Sequence, residues 1–442
     1  MLKLINVNSF CFDIEAEQLK NHIGEDVKIH GTIYKIREMS GFAFVLIKTK
    51  RTILQCVYSP DYSGFALSQL KDNMSVAVLG KVIADERSKT GLEVRLINFE
   101  CLSAPAFEPP VVINNKEISL SLENLLDYRP ITLRNAKERA IFKIQAGICQ
   151  AIRGFLDENM FTEIHTPKIV FSGAEGGANI FSLDYFGKEA YLAQSPQFYK
   201  QMMVGVFERV YEIAPVFRAE HHDTSRHINE YTSIDLEMGF IENFYDIMAL
   251  ETRMLSHTMG FLKANYNEEL SLLKADIPSI TDIPSIPFQE AKEYVSKTYR
   301  RAITDYEDFE PEEEKLLCEL IKKDTGCDFV FVTHYKSSKR PFYAMDTPQN
   351  PEVTESFDLL FRGMEITTGG QRIHDYGKQV EKLASRGMDP GAFSSYLMAH
   401  KYGLPPHGGL GLGLERFTAK LLGFQNVRYA TMFPRDINRL EP

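Results

Sequence analysis

Residues 209 to 242 hold two apolar runs, "RVYEIAPVFRAE" and "YTSIDLEMGFIE", separated only by "HHDTSRHINE". Parallel strands need a crossover of a dozen or more residues, usually a helix, so these runs must pair antiparallel. Neither a dinucleotide fingerprint nor a G-x-x-x-x-G-K-[ST] loop occurs in the chain, and the class expected for this part is α+β on an antiparallel sheet. Alternation puts Val216, Arg218 and Glu220 on one face and Phe217 and Ala219 on the other, while Tyr231, Ser233, Asp235 and Glu237 alternate with Thr232, Ile234, Leu236 and Met238. One face is greasy; the other carries a line of ionisable groups. That line is either the solvated side of a half-exposed sheet, which is common, or the floor of a site for a charged ligand. A third reading, a zinc cluster of His221, His222, Asp223 and His227, lacks ligands aimed from fixed elements.

At 442 residues, 44% of them hydrophobic, the chain exceeds one ordinary core, and two or three domains are expected. Residues 26 to 101 supply five short runs rich in β-branched and aromatic residues, with turn signals at Ser40-Gly41 and Thr90-Gly91. Five such strands suit a small closed barrel of the oligonucleotide-binding (OB) type. The expected organisation is an all-β OB-fold barrel over 1–104, a hinge over 105–130 that begins in the proline-rich "APAFEPPVVINN", and the α+β domain over 131–442. A formal net charge of −10 argues against indiscriminate coating of nucleic acid or membrane. Six cysteines without a C-x-x-C pair suggest neither a disulfide framework nor a zinc ribbon. No segment approaches the ~20 apolar residues of a membrane span, so a soluble cytoplasmic protein with no membrane partner is expected.

Three further segments carry chemistry. In "RNAKERAIFKIQAGICQAIRGFLDEN", Ile141, Ile144, Ile148, Ile152 and Phe155 fall at helical spacing, and Pro167 in the following "MFTEIHTPKIV" belongs at an edge. "ESFDLLFRGMEITTGGQRIHD" reads as a hairpin turning at Arg362-Gly363, which opposes Leu360 to Glu365 and leaves Asp358 diagonal to Glu365 on one face. Two carboxylates so placed repel unless they are solvated or bridged by a cation such as Mg²⁺. In "PPHGGLGLGLERFTAKLLGF" a glycine-rich run leads into a helix from about Leu414, where Arg416 opposes the helix dipole and is expected to answer to an anion.

Together these segments resemble the three signature motifs of class II aminoacyl-tRNA synthetases, and within them the aspartyl-tRNA synthetases of archaeal and eukaryotic type. The first motif is similar to the long helix ending at "FTEIHTPKI", the second to "FRAEHHDTSRHINEYTSIDLEM" and the third to "GLGLGLERFTAKLLG". "SGAEGGANIF", "QSPQFYKQ", "GGQRIHD" and "MFPRD" extend the resemblance through nearly the whole chain. It implies an aspartate–tRNA ligase that uses ATP to turn L-aspartate into aspartyl-adenylate and passes it to the 3′ end of tRNA(Asp). Whether tRNA(Asn) is a second acceptor stays open. A homodimer built through the first motif is implied as well. The alternatives are an asparaginyl-tRNA synthetase or a synthetase-like paralogue without tRNA charging.

Carried over position by position, the resemblance gives Arg218 the α-phosphate of ATP, Glu220 the adenine amino group and Tyr231 the base. Arg226, His227 and Arg416 would take the outer phosphates, and Ile228, Gly413, Leu414, Glu415 and Glu365 would add ATP contacts. Asp358, Glu365 and Thr368 would hold Mg²⁺; Arg218, Arg416 and Glu365 would be catalytic. Lys200 and Arg372 would take the side-chain carboxylate of aspartate, on the ground that two buried cations left unpaired demand an anion. Glu175, Gln197 and Asp235 would receive its α-ammonium group. Thr368 stands where the family pattern has serine, and a β-bulge near Gly369-Gly370 is required to bring it round to the face of Glu365. In the barrel, Arg37, Phe44 and Gln55 would bind the anticodon, although alternation in "FAFVL" equally allows Phe44 to be core. Residues 265 to 330, including "DYEDFEPEEEK", are expected to form a surface insertion. The anticodon-reading stretches at 30–36 and 84–90 do not reveal which tRNAs are read.

Overall fold

A sheet with one apolar face must bury it, and the strands between Asp26 and Ser103 do so by closing on themselves. Strands β1 (Asp26–Glu38), β2 (Ala43–Lys48), β3 (Ile53–Tyr58), β4 (Ser75–Ala84) and β5 (Leu92–Ser103) form a closed barrel ordered β1-β2-β3-β5-β4. Alternate residues, among them Val27, Ile29, Val45, Ile47, Val76 and Val94, fill its interior. A break in register between Ile33 and Lys35 bends β1, so that its first half pairs with β4 and its second with β2. The structure, a computed structural model, describes residues 18–50, 52–86, 88, 91–173, 179–221 and 223–442. It divides into two units, Met1–Ile118 and Ser119–Pro442. A short helix at Leu122–Asp127 opens the second unit, inside the stretch expected to be hinge.

The second unit is built on eight strands: β6 (Thr162–Glu163), β7 (Arg209–Phe217), β8 (Glu230–Gly239), β9 (Ser285–Pro287), β10 (Phe329–Thr333), β11 (Ser356–Phe361), β12 (Met364–Gln371) and β13 (His407–Gly413). Their order is β9-β10-β11-β12-β13-β8-β7-β6. The central pairs are antiparallel, and β9 and β6 add parallel edges. Pro167 lies exposed just beyond edge strand β6. Five helices matter to the site: α1 (Ala136–Glu158), α2 (Gln197–Phe207), α3 (Tyr245–Asn265), α4 (Pro311–Thr325) and α5 (Leu414–Leu421). Asn135 caps α1, accepting from the amides of Lys137 and Glu138. The five apolar residues that announced this helix are all buried, four of them packed with α3 and the inner face of the sheet.

Residues 265 to 330 are more than a surface insertion. They contribute β9 and part of β10 to the sheet, and α4 packs against it in a core of its own. The acidic run opens α4, where three glutamates favour the positive end of the helix dipole. Two of the three turn inward: Glu313 pairs with Lys292 at 2.6 Å, and Glu314 meets Arg226. No helix among the described residues is long and apolar enough to cross a membrane.

Candidate active site

Strands β7 and β8 pair from Arg209↔Met238 to Phe217↔Glu230, as their short connection requires. The polar face of β8 is not solvated: Ser233, Asp235 and Glu237 are all buried. The connection itself is clamped. The Arg218 amide donates to the Asn229 carbonyl (2.8 Å), and the Asn229 side chain donates back to the carbonyls of Arg218 (2.7 Å) and Glu220 (3.0 Å). From the C-terminal segment, Arg428 reaches Asp223 and the Thr224 carbonyl, and the Arg435 carbonyl accepts from the Asn229 amide. His222 lies outside the described residues.

Above this floor is a cavity of about 730 Å³. Arg218, Arg226, His227 and Arg416 line it, together with Glu220 and Tyr231. Glu220 lies 3.9 Å from both Arg218 and His227. Arg416, in the first turn of α5, answers to Glu365 at 3.9 Å. Glu415 and Gly413 also line the cavity, and Glu415 accepts from the Thr232 amide at 3.0 Å; burial pushes its carboxyl up to about 7. Ile228 joins this wall, whereas Leu414 turns into the hydrophobic core.

Gln197, Lys200, Asp235, Thr368 and Arg372 line the same cavity. Lys200 Nζ donates to Asp235 Oδ1 and to the Leu410 carbonyl, both at 2.9 Å, and lies 3.5 Å from Glu237 Oε2. Arg372 Nε donates to the other oxygen of Glu237 at 2.9 Å. The two cations therefore converge on one buried acid beneath the floor. The expectation that they stand unpaired is corrected: Asp235 and Glu237 already match them, as a low-dielectric interior demands. Room for Glu237 comes from the facing strand, because a Cβ at Gly409 would overlap its carboxylate and the Leu236 carbonyl. Glu175 lies outside the described residues.

The hairpin of β11 and β12 turns at Arg362 and Gly363, both at positive φ, and pairs Leu360 with Glu365. Leu359 then pairs with Thr367, so Ile366 is the extra residue of a β-bulge. The bulge lies three residues earlier than expected, because tertiary pairing with β13 keeps Gly369 and Gly370 in regular register. Its effect is the one required: Thr368 Oγ1 donates to Glu365 Oε1 at 3.0 Å. Asp358, opposite Thr368, is buried behind the cavity wall, 2.8 Å from the Arg340 guanidinium. Burial pushes its carboxyl up, with Arg340 opposing and Glu365 adding. Burial also works against the charge of Glu365, but Arg416, the Thr368 hydroxyl, Arg340 and Arg218 outweigh it and hold that carboxyl below its usual value. Two carboxylates and a hydroxyl are hard oxygen donors of the kind Mg²⁺ takes, with Asp358 Oδ1 facing the Arg340 guanidinium in this structure. The donor set fits the ion.

Sequence reasoning missed Glu237 and Arg340 as site residues. Glu237 had a signal, its alternation with Ser233 and Asp235; Arg340, stacked 3.9 Å over Tyr335, reads in sequence as one more basic residue of "KSSKR". In the barrel, Phe44 is on the outer face between buried Ala43 and Val45, directly opposite Arg37, so the core reading of Phe44 does not hold. Gln55 is exposed and opposes Leu46, two residues along the same face.

The family description "tRNA synthetases class II (D, K and N)" matches residues 121–437. The chain belongs to the class II tRNA synthetases. The barrel of the synthetase matches "OB-fold nucleic acid binding domain" over residues 27–102. Relatives include the aspartate–tRNA(Asp/Asn) ligases of Deinococcus radiodurans, 48% identical over 97% of this chain and 98% of that protein, and of Thermus thermophilus, 47% identical over 97% and 99%. The aspartate–tRNA(Asp) ligase of Pyrococcus horikoshii is 38% identical over 95% and 97%. Among solved structures, asparaginyl-tRNA synthetase from Pyrococcus horikoshii complexed with asparaginyl-adenylate superposes with a TM-score of 0.90 at 31% identity, covering 98% of the synthetase and all of that chain.

Proposed function

We propose that the synthetase activates L-aspartate with ATP, transfers it to tRNA(Asp), and charges tRNA(Asn) as well. The observation that carries the amino-acid choice is the convergence of Lys200 and Arg372 on Glu237, in a cavity that Arg218, Arg226 and Arg416 also line. Glu237 accepts from Nε and Nη2 of Arg372. A substrate carboxylate continues that alternation of charge, whereas the NH₂ of a carboxamide would face donors with another donor. Support for two acceptor tRNAs comes from the relatives at 48% and 47% identity, whose names carry both.

In this reading Arg218 holds the α-phosphate, Arg226, His227 and Arg416 hold the outer phosphates, Glu220 accepts from the adenine amino group and Tyr231 stacks on the base. Gln197 and Asp235 receive the α-ammonium group. The aspartate α-carboxylate attacks the α-phosphorus in line, the bond to pyrophosphate breaks, and the fixed guanidinium groups stabilise the charge that develops. A ribose hydroxyl of the tRNA then attacks the acyl carbon and AMP leaves. Mg²⁺ held by Asp358, Glu365 and Thr368 would supply further neutralisation of the polyphosphate. Phe44, Arg37 and Gln55 form the anticodon surface. The reading includes a cytoplasmic homodimer, supported by large apolar side chains exposed just after α1, Met160 at 79% and Phe171 at 78%.

The test is ATP–pyrophosphate exchange, expected with L-aspartate and absent with asparagine. Exchange driven by asparagine alone refutes the reading. Charging of separated tRNA(Asp) and tRNA(Asn) then decides the second acceptor.

A further inference from the structure

Gln197 opens α2 and lines the cavity; that it meets the α-ammonium group rests on the function just proposed. An amide has two ends. Its oxygen accepts from an ammonium group, while its NH₂ faces one donor with another. The residues that decide between these ends lie behind the cavity wall.

His407 is fully buried at the start of β13, with Nδ1 2.8 Å from the Pro405 carbonyl oxygen. That oxygen can only accept, so Nδ1 carries a proton. Burial holds the ring neutral, its pKa down to about 4, which leaves Nε2 as an acceptor. The Gln201 amide lies 3.0 Å from Nε2 and must turn its NH₂ toward the ring. Its oxygen then points the other way, accepting from the Tyr396 hydroxyl at 3.2 Å and from Gln197 Nε2 at 3.0 Å. Gln197 and Gln201 stand four residues apart on one face of α2, the spacing that lets side chains meet on a helix. One orientation remains for Gln197: NH₂ toward Gln201, oxygen for the cavity.

We propose that His407 is a positioning residue for the amino-acid substrate, fixing through Gln201 which end of the Gln197 amide meets the α-ammonium group. Every link has a single polarity because it starts from a backbone carbonyl, which cannot donate. Neither His407 nor Gln201 lines the cavity, so both act through Gln197.

The test compares binding of L-aspartate and of succinate, the same diacid without the amino group, to the full-length protein by calorimetry. His407→Leu is expected to weaken L-aspartate about tenfold, the scale of one hydrogen bond to a charged group, and to leave succinate and ATP unchanged. His407→Gln, whose side-chain oxygen can replace Nε2 as the acceptor from Gln201, restores most of the loss. Gln201→Met repeats the selective loss and carries the test if His407→Leu does not fold. Equal weakening of aspartate and succinate, or no change in either, overturns the assignment alone. Failure of the unmodified protein to bind L-aspartate overturns the substrate reading and the assignment with it.

Discussion

Lys200 shows why a buried charge is informative only with its partners in view. Its side chain is 2% exposed and holds Asp235 and Glu237 together from above. Removing it leaves Asp235 without its cation and Glu237 with Arg372 alone, a loss of the kind that costs about 3–5 kcal/mol when one member of a buried pair is deleted. Lys200→Ala is therefore expected to lower the unfolding free energy by roughly that amount. It is also expected to raise KM for aspartate and reduce kcat while KM for ATP stays nearly constant, because the ion pairs of Lys200 are with Asp235 and Glu237 and not with Arg218 or Arg416, the residues proposed for ATP. Steady-state exchange kinetics with each substrate varied in turn separate these effects, and an equal rise in KM for ATP contradicts the proposed division of the cavity. The lysine itself was legible in "QSPQFYKQ". Its partner was less so, since strand alternation assigns Glu237 a face and cannot distinguish an ion-paired wall from a wet one.

Between elements, the bulge at Ile366 is secured from below. Thr367 Oγ1 donates to Glu251 Oε1 at 2.6 Å, from the strand onto the buried face of α3. Glu251 Oε2 is buried without a hydrogen-bond partner among the described residues, and burial pushes the carboxyl up to about 8. The sign follows from linkage. Between the ordinary glutamate range and about pH 8 the folded state keeps a proton that the unfolded state has lost, so this group makes stability fall as pH rises, by up to about 1.4 kcal/mol per pH unit. Glu251→Gln retains an acceptor for Thr367 and removes the titration. The variant is expected to gain on the unmodified protein as pH rises from about 5 to about 8, measured as the difference in denaturant midpoint at each pH. A difference that does not change with pH would show that Glu251 is ionised in the fold. Such links explain what was readable and what was not. The five barrel strands and α1 follow from local periodicity, and the antiparallel β7–β8 pair from its short connection. The bulge was required by face logic but misplaced, because β13 sets the register of Gly369 and Gly370 from 40 residues away. Glu314 looked like one more surface acid in a charged run, and only the docking of α4 carries it to Arg226.

At the scale of the whole molecule, the proposed sites fall in different units. Phe44 lies on the outer face of the barrel, and the residues proposed for ATP and for the amino acid all belong to Ser119–Pro442. Phe44→Ala is expected to weaken charging through KM for tRNA by about 1–3 kcal/mol of stacking, with aspartate-dependent pyrophosphate exchange unchanged. Loss of exchange in that variant would mean that the barrel shapes the adenylation site. The clamp on the β7–β8 connection links distant parts of the second unit in another way. Asp223 waits for Arg428, 205 positions further along, and Asn229 for the carbonyl of Arg435. A ribosome delivers those partners long after it has made the loop, so the β7–β8 connection is fastened only at the end of synthesis, and premature termination before codon 428 would leave Asp223 and Asn229 without these two partners.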